Sequence, residues 1–341
     1  MLKSLNKYAA VATKVHALKG KMLTDSDWQK LCAVTSIKDL VAYLRLSSGW
    51  RPAAAKLRSA DPDVRELESA LRHQVYDEYE KLFYYASWED RRFLLNIVYR
   101  IEYELILSAL RRISSSHALP PGDMITDFFR RNSRVDLDAI AKSGNLSELL
   151  AAVKGSVYED ILKSSPRNPD GLPDYAHVSS AMENRYFTTV YSHLTKGYGG
   201  LDKKILIESI GTQVDLLNIV YLLRIRRLLG PSAQIPKLLI PVRYKLTQDF
   251  ISELASAPSD SEVLSILKNS RWKSYFESFE ALGIERYYER ALESFCKKLI
   301  SSPTPSLCIP HAYLTLKEIE CHKLIRIIEA IHFGIDPQKI V

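Results

Sequence analysis

One short pattern recurs three times along the chain, and this recurrence limits what the sequence can fold into more than any other feature. The copies are LCAVTSIKDLVAYLRLSSGW (Leu31–Trp50), IAKSGNLSELLAAVKGSVY (Ile140–Tyr158) and LASAPSDSEVLSILKNSRW (Leu254–Trp272). An aliphatic residue opens each: Leu31, Ile140 or Leu254. Eight positions later stands an acid, Asp39, Glu148 or Glu262, followed by the apolar pairs Leu40-Val41, Leu149-Leu150 and Val263-Leu264. A base follows at Arg45, Lys154 and Lys268, and an aromatic closes each copy at Trp50, Tyr158 and Trp272.

The chemistry shared by the copies is a helix start. Ser36, Asn145 and Ser259 each stand three residues before the acid, where a side-chain oxygen accepts from an orphan N–H of the first turn. The acid at the third helical position is placed to reach back to the N–H of the cap residue and to complement the helix dipole. Three such boxes in one apolar frame predict three related helical units.

Longer helices surround them. Arg91–Ile113 and Thr212–Gly230 are apolar on most faces and share the pentapeptide LNIVY, at Leu95–Tyr99 and Leu217–Tyr221. Both should be largely enclosed, and Gly230-Pro231 should stop the second. A third helix, 316–334, carries the stripe Ile319, Leu324, Ile327, Ile328 and Ile331, with Gly334 and Pro337 to end it. The N-terminal helix is amphipathic through Tyr8, Val11, Val15 and Leu18. Aromatic helices precede the long ones, around Val75–Tyr84, Tyr186–Leu194 and Tyr287–Phe295. Proline-marked loops are expected at Ser114–Gly122, Ser164–Pro173, Gly230–Pro241 and Ser301–Pro310. Only Lys237–Leu246 has an extended character, and Pro241 argues against a central strand there. The expected fold is all-α, with three repeated helical domains in a funnel of approximate threefold pseudo-symmetry. Their boundaries fall at 1–90 (closed by the helix 316–334), 91–211 and 212–341.

Composition narrows the function. With 341 residues, 46% hydrophobic and 26% charged, the chain is an ordinary globular protein of more than one compact unit. Neither a signal peptide nor a spanning helix is expected, since Leu216–Leu223 is short and Leu228–Val242 is broken by prolines. The cysteines Cys32, Cys296, Cys308 and Cys321 fit no zinc spacing and are expected to be buried, reduced thiols. The sequence has no phosphate-cradling GxxxxGK[ST] or GxGxxG, no GxSxG and no HExxH. Paired acids lie one or two residues apart, a spacing that separates side chains on a helix. The expectation is therefore a non-catalytic chain without cofactor, metal or direct small-molecule substrate.

The net charge of +7 is spread along the chain, except between Thr212 and Thr247. There Arg224, Arg226, Arg227, Lys237, Arg243 and Lys245 meet a single acid, Asp215. Two readings stay open for this excess: an acidic partner surface, or arginine stems packed along apolar helices with their heads in water. Asn96 and Asn218 recur inside apolar helices, where a helix–helix hydrogen bond fixing register is favoured over a polar lining of a central opening.

These residues resemble a known family, the C/d subunits of V/A-type ATPases. Tyr8–Leu23 is similar to the family's N-terminal signature, with Lys14 and His16 where arginines are common. Asp215–Arg226 resembles its Asp-x-x-Asn…Arg-x-Arg helix; the stretch Phe93–Tyr99 keeps Asn96 and lacks the acid. Glu318–Ile340 is similar to the family's ending through Glu320, Arg326, Glu329, Gly334 and Ile340. The resemblance implies a rotor subunit on the cytoplasmic face of a membrane rotor ring, with the central stalk in its opening. It would couple ATP turnover to proton or sodium movement and bind no nucleic acid. Partner-contact candidates are Asp215, Asn218, Arg224, Arg226, Arg227, Asn96 and Glu320. Replacing Arg224 and Arg226 together by glutamate is expected to uncouple the machine without unfolding the chain. The alternative that the basic balance allows is a helical scaffold or nucleic-acid-binding adaptor.

Overall fold

The computed structural model describes residues 2–114, 125–232, 234–276, 284–302 and 306–339. Ile340 and most of the Ser114–Gly122 loop lie outside the described residues, as does the side chain of Tyr287. The fold is all-α. Among the described residues there is no strand, only an isolated antiparallel bridge between Arg167 and Pro173.

The helices in chain order are α1 (Leu2–Lys19), α2 (Asp25–Cys32), α3 (Ile37–Leu46), α4 (Arg51–Ala55), α5 (Val64–Tyr85), α6 (Trp88–Leu94) and α7 (Asn96–Ser114). Then follow α8 (Asp127–Asn132), α9 (Leu137–Lys142), α10 (Leu146–Ala152), α11 (Val157–Ser164), α12 (Tyr175–Gly197) and α13 (Gly200–Leu229). The remainder are α14 (Gln248–Ser256), α15 (Asp260–Lys268), α16 (Lys273–Phe276), α17 (Ile284–Ile300) and α18 (Cys308–His332). The chain divides into two compact units. One is Met1–Met182 with Ile309–Val341; the other is Glu183–Ser302 with Ser306–Cys308.

The repeated pattern forms α3, α10 and α15. Ser36, Asn145 and Ser259 accept from the amides of Asp39, Glu148 and Glu262 at 3.1, 3.0 and 3.2 Å. The return bond differs from expectation. Asp39 accepts from the Ser36 hydroxyl, and Glu148 from the Asn145 amide side chain and the backbone of Gly144. A full reciprocal box forms instead at Thr24 and Asp27, which start α2. The apolar frame is buried at equivalent positions: Leu40, Leu149 and Val263 have no exposure, nor do Leu44, Val153 and Leu267. The closing aromatics Trp50, Tyr158 and Trp272 are buried as well.

Each unit has its own core. Leu31, Leu40, Leu44, Trp50, Leu67 and Leu71 pack with Cys321, Leu324, Ile327 and Ile328 of α18. In the second unit Leu216, Ile219, Val220 and Leu223 of α13 pack with Ile251, Leu254, Val263, Leu267 and Trp272. The N-terminal stripe is in place, with Tyr8, Val11 and Val15 buried. Cys296, Cys308 and Cys321 are buried free thiols and Cys32 is half-buried.

Several expectations need correction. The long helix expected over Arg91–Ile113 breaks at Leu95 into α6 and α7. The helix α13 starts twelve residues before Thr212 and runs to the expected stop at Gly230, whose φ of 75° suits glycine. By length and mean hydropathy (1.4) α13 could cross a bilayer, but 72% of that window is buried inside the protein, so it is a core helix. The helix expected over 316–334 begins earlier, at Cys308. Lys237–Leu246 is not a strand: Ile235–Leu238 is a 3-10 turn and the rest is irregular backbone.

Candidate functional site

The polar residues inside the long helices are fasteners. On α13, Gly211, Asp215, Asn218 and Arg226 recur at helical spacing along one face. The irregular segment after Gly230 is fixed to that face. Asn218 donates to the carbonyls of Ile240 (3.1 Å) and Val242 (3.3 Å) and accepts from the Ile240 amide at 2.8 Å. Asp215 accepts from three successive amides, Tyr244, Lys245 and Leu246, at 3.0, 2.6 and 3.0 Å. Gly211 leaves room for the Tyr244 ring; a Cβ there would sit 2.4 Å from the tyrosine Cβ. Burial holds the Asp215 carboxyl above the usual carboxylate range, against the three N–H donors that favour its charge. The bond expected of Asn218 between two helices is thus a bond from a helix to irregular backbone.

Arg226 closes the same face. Its guanidinium donates to the carbonyls of Leu254, Ala255 and Ala257 at 3.1, 2.8 and 2.7 Å, capping the end of α14. The same device occurs on α7. Arg112 donates to Ile140, Ala141 and Ser143 at 3.4, 2.8 and 3.1 Å, capping α9. Its buried acid is Glu102, which accepts from the Arg134 amide (2.9 Å), the Ser133 hydroxyl (2.8 Å) and the Tyr158 hydroxyl (2.7 Å). In the first repeat the acid comes from α18. Glu320 accepts from the Leu23 amide (3.0 Å) and the Trp50 indole, with Lys317 Nζ at 3.1 Å. Leu23 and Leu246 each directly precede the cap of a short helix, and Arg134 stands two residues before one. One buried acid per repeat therefore fixes the entry to the first short helix.

Sequence reasoning did not find Glu102 or Arg112, because LNIVY suggests the wrong register. The pentapeptide copies are 122 positions apart, 95 to 217, whereas Arg112 and Arg226 are 114 apart, as are Ile140 and Leu254. Asn96 is accordingly not the counterpart of Asn218. It is 4% exposed and donates to the Phe93 carbonyl at the break before α7. The signal that would have found the acids is the shared 113–114 spacing between 102 and 215 and between 112 and 226.

The contact candidates thus separate by exposure. Asp215, Asn218, Arg226, Asn96 and Glu320 are all buried and bonded within the chain. Arg224 is half-buried, its guanidinium 5.9 Å from the Tyr221 ring centre. The Tyr221 hydroxyl donates to Glu183, whose carboxyl burial pushes above its usual range. Arg227 is 54% exposed and 3.6 Å from Asp260. Because Arg226 caps α14, the paired Arg224→Glu and Arg226→Glu replacement should also lower stability, so it does not isolate coupling as the sequence suggests.

Among the described residues, no group of three or more His, Cys, Asp or Glu side chains is arranged to hold a metal. Short capped helices fastened onto long helices by buried acids and arginines define the class as an all-α protein built on a recurring helical motif. The comparisons give the family. A family model described as ATP synthase (C/AC39) subunit matches residues 11–341, and the chain belongs to that family. It is similar to the C subunit of the A-type ATP synthase of Pyrococcus horikoshii, 24% identical over 343 residues, with 98% of this chain and 89% of the relative covered. The same subunit of Thermococcus kodakarensis is 23% identical over 339 residues, with the same coverage. That of Archaeoglobus fulgidus is 19% identical over 326 residues, covering 93% of this chain and 90% of the relative.

Proposed function

We propose that the chain is the rotor coupling subunit of an A/V-type rotary ATP synthase and performs no chemistry itself. In this reading it sits on the cytoplasmic face of the membrane rotor ring. Its three helical repeats, 1–90, 91–211 and 212–341, close into a funnel whose opening receives the central stalk. Torque then passes through it between ATP turnover in the soluble sector and proton or sodium movement in the membrane.

The observation that carries the reading is the repeated fastening. A torque adaptor must resist shear between its short and long helices. Charged hydrogen bonds to backbone, made by Glu102, Arg112, Asp215, Arg226 and Glu320, add directional resistance to that of the close-packed cores. The family match along residues 11–341 supports it. Among the sequence candidates, Arg227 is the most available for a partner, with Arg224 beside it.

The test is co-purification of a tagged copy from native membranes, with partners identified by mass. Recovery of a small apolar ring protein together with stalk subunits is the expected result. Recovery of nucleic acid or unrelated soluble proteins without a membrane protein overturns the reading. Arg227→Glu, at an exposed position, should then lower the ratio of ions moved to ATP hydrolysed without shifting the melting temperature.

A further inference from the structure

The turn between α5 and α6 presents three aromatic rings to solvent. Tyr84 and Tyr85 end α5, and Trp88 opens α6. Their exposures are 54%, 51% and 81%. Tryptophan is seldom left so open, because its ring gains most from burial. The two tyrosine rings are held in place. Arg91 donates to the carbonyls of Phe83 and Tyr84, both at 3.1 Å, and its guanidinium stacks 5.7 Å from the Tyr84 ring centre. The Lys14 ammonium of α1 lies 5.3 Å from the Tyr85 ring centre.

Cations surround the rings. Lys81 and Arg92 are exposed, and Lys14 and Arg91 are half-buried. Asp90 is 1% exposed and fully engaged, accepting from Ser87 and Lys7. Its charge is therefore withheld from the surface. Glu80 accepts from the Tyr84 hydroxyl, and Glu89 is the other acid of the stretch.

We propose that this α5–α6 corner docks on anionic lipid headgroups, with Trp88, Tyr84 and Tyr85 at the interface and Lys14, Lys81, Arg91 and Arg92 facing lipid phosphates. Amphipathic rings flanked by lysine and arginine settle at the headgroup level of a bilayer. The cations supply the charge complement to an anionic leaflet. Charge and ring chemistry favour lipid over an acidic protein. The rings flank one turn, at the end of α5 and the start of α6, and rings with apolar faces and polar edges beside lysine and arginine match the headgroup layer of an anionic bilayer. The inference goes beyond the coupling role, since a subunit held by a ring need not touch lipid.

The test is co-sedimentation of the purified full chain with vesicles of phosphatidylcholine alone or mixed with phosphatidylglycerol. Binding to the mixed vesicles, released by salt, is expected, with little binding to phosphatidylcholine alone. Brominated lipid should quench tryptophan fluorescence, and Trp88→Phe should abolish most of that quenching. Tyr85→Ser with Trp88→Ala, and separately Lys81→Glu with Arg92→Glu, should each weaken binding by roughly tenfold or more. These side chains are open to solvent, so both variants should fold, as circular dichroism will show. No sedimentation with mixed vesicles overturns the proposal. So does equal binding to both vesicles, or binding that neither variant weakens. Variant-sensitive retention on a polyglutamate resin without vesicle binding would make the corner an acidic-protein contact and likewise overturn it. None of these outcomes bears on recovery of the ring and stalk partners.

Discussion

Arg112 and Arg226 perform one task in two places: each guanidinium caps the carbonyls at the first, second and fourth positions of a homologous stretch, 140, 141 and 143 or 254, 255 and 257. Arg226 is 4% exposed, so removing it leaves buried carbonyls without a donor. Arg226→Ala should cost about 3 kcal/mol, and Arg112→Ala, which is more open, about 1–2 kcal/mol. Urea unfolding of the two variants checks the order. Equal losses would contradict the assigned burial.

Asp215 should act locally. Asp215→Asn keeps the size but turns an amide group towards backbone donors, and should cost about 2 kcal/mol. Hydrogen exchange at Tyr244, Lys245 and Leu246 should accelerate before exchange in α15 does.

Gly211 is required by packing. A methyl at this position meets the Tyr244 side chain at 2.4 Å, so Gly211→Ala should destabilise by about 1–3 kcal/mol despite its better helix propensity. Tyr244→Ala in the same chain should recover part of the loss. A measured melting temperature above that of the parent would show that Tyr244 moves aside freely.

Lys317 and Glu320 are 1% and 3% exposed and pair at 3.1 Å, with the Lys317 ammonium 3.6 Å from the Trp50 ring centre. Glu320→Leu strands a buried cation and should cost about 3–5 kcal/mol. Adding Lys317→Met should restore most of that stability. A double variant no better than the single one would place the cost in the lost Leu23 and Trp50 bonds instead.

Acid should weaken the fold through His311. Burial pushes its imidazole down to about 4, against about 6.5 in an unfolded chain. The ring lies 5.5 Å from Phe93, edge-on, with Glu318 and Arg100 acting in opposite directions on its charge. The folded chain refuses a proton that the unfolded chain accepts. Stability should therefore fall as pH drops from about 6.5 towards 4 and level off below that. The effect is at most about 3 kcal/mol. His311→Gln should flatten the melting temperature over this range relative to the parent.

The helical class, the three capped starts and the stop at Gly230 were legible because each depends on chemistry within a few residues. A cap oxygen and the amide it serves are three positions apart, so the sequence shows both. The fasteners were not legible in the same way. Asp215, Glu102 and Glu320 serve backbone amides, which leave no residue-type signature, and the acid itself varies between Asp and Glu. The shared LNIVY drew the comparison to a register in which Asn96 matched Asn218, away from the true counterparts. The form of Lys237–Leu246 was hidden for a related reason: its backbone follows α13 through Asn218 and Asp215, and nothing within the segment dictates that path.

The bond from the Leu23 amide to Glu320 spans 297 residues. During synthesis the first repeat therefore emerges from the ribosome with its indole and its entry amide unanswered, and it stays incomplete until α18 is released. Vectorial folding, usual for the leading part of a chain, is denied to this module. A nascent chain halted before Cys308 should remain a client of chaperones, and a rearranged gene in which α18 precedes α1 should shorten that wait.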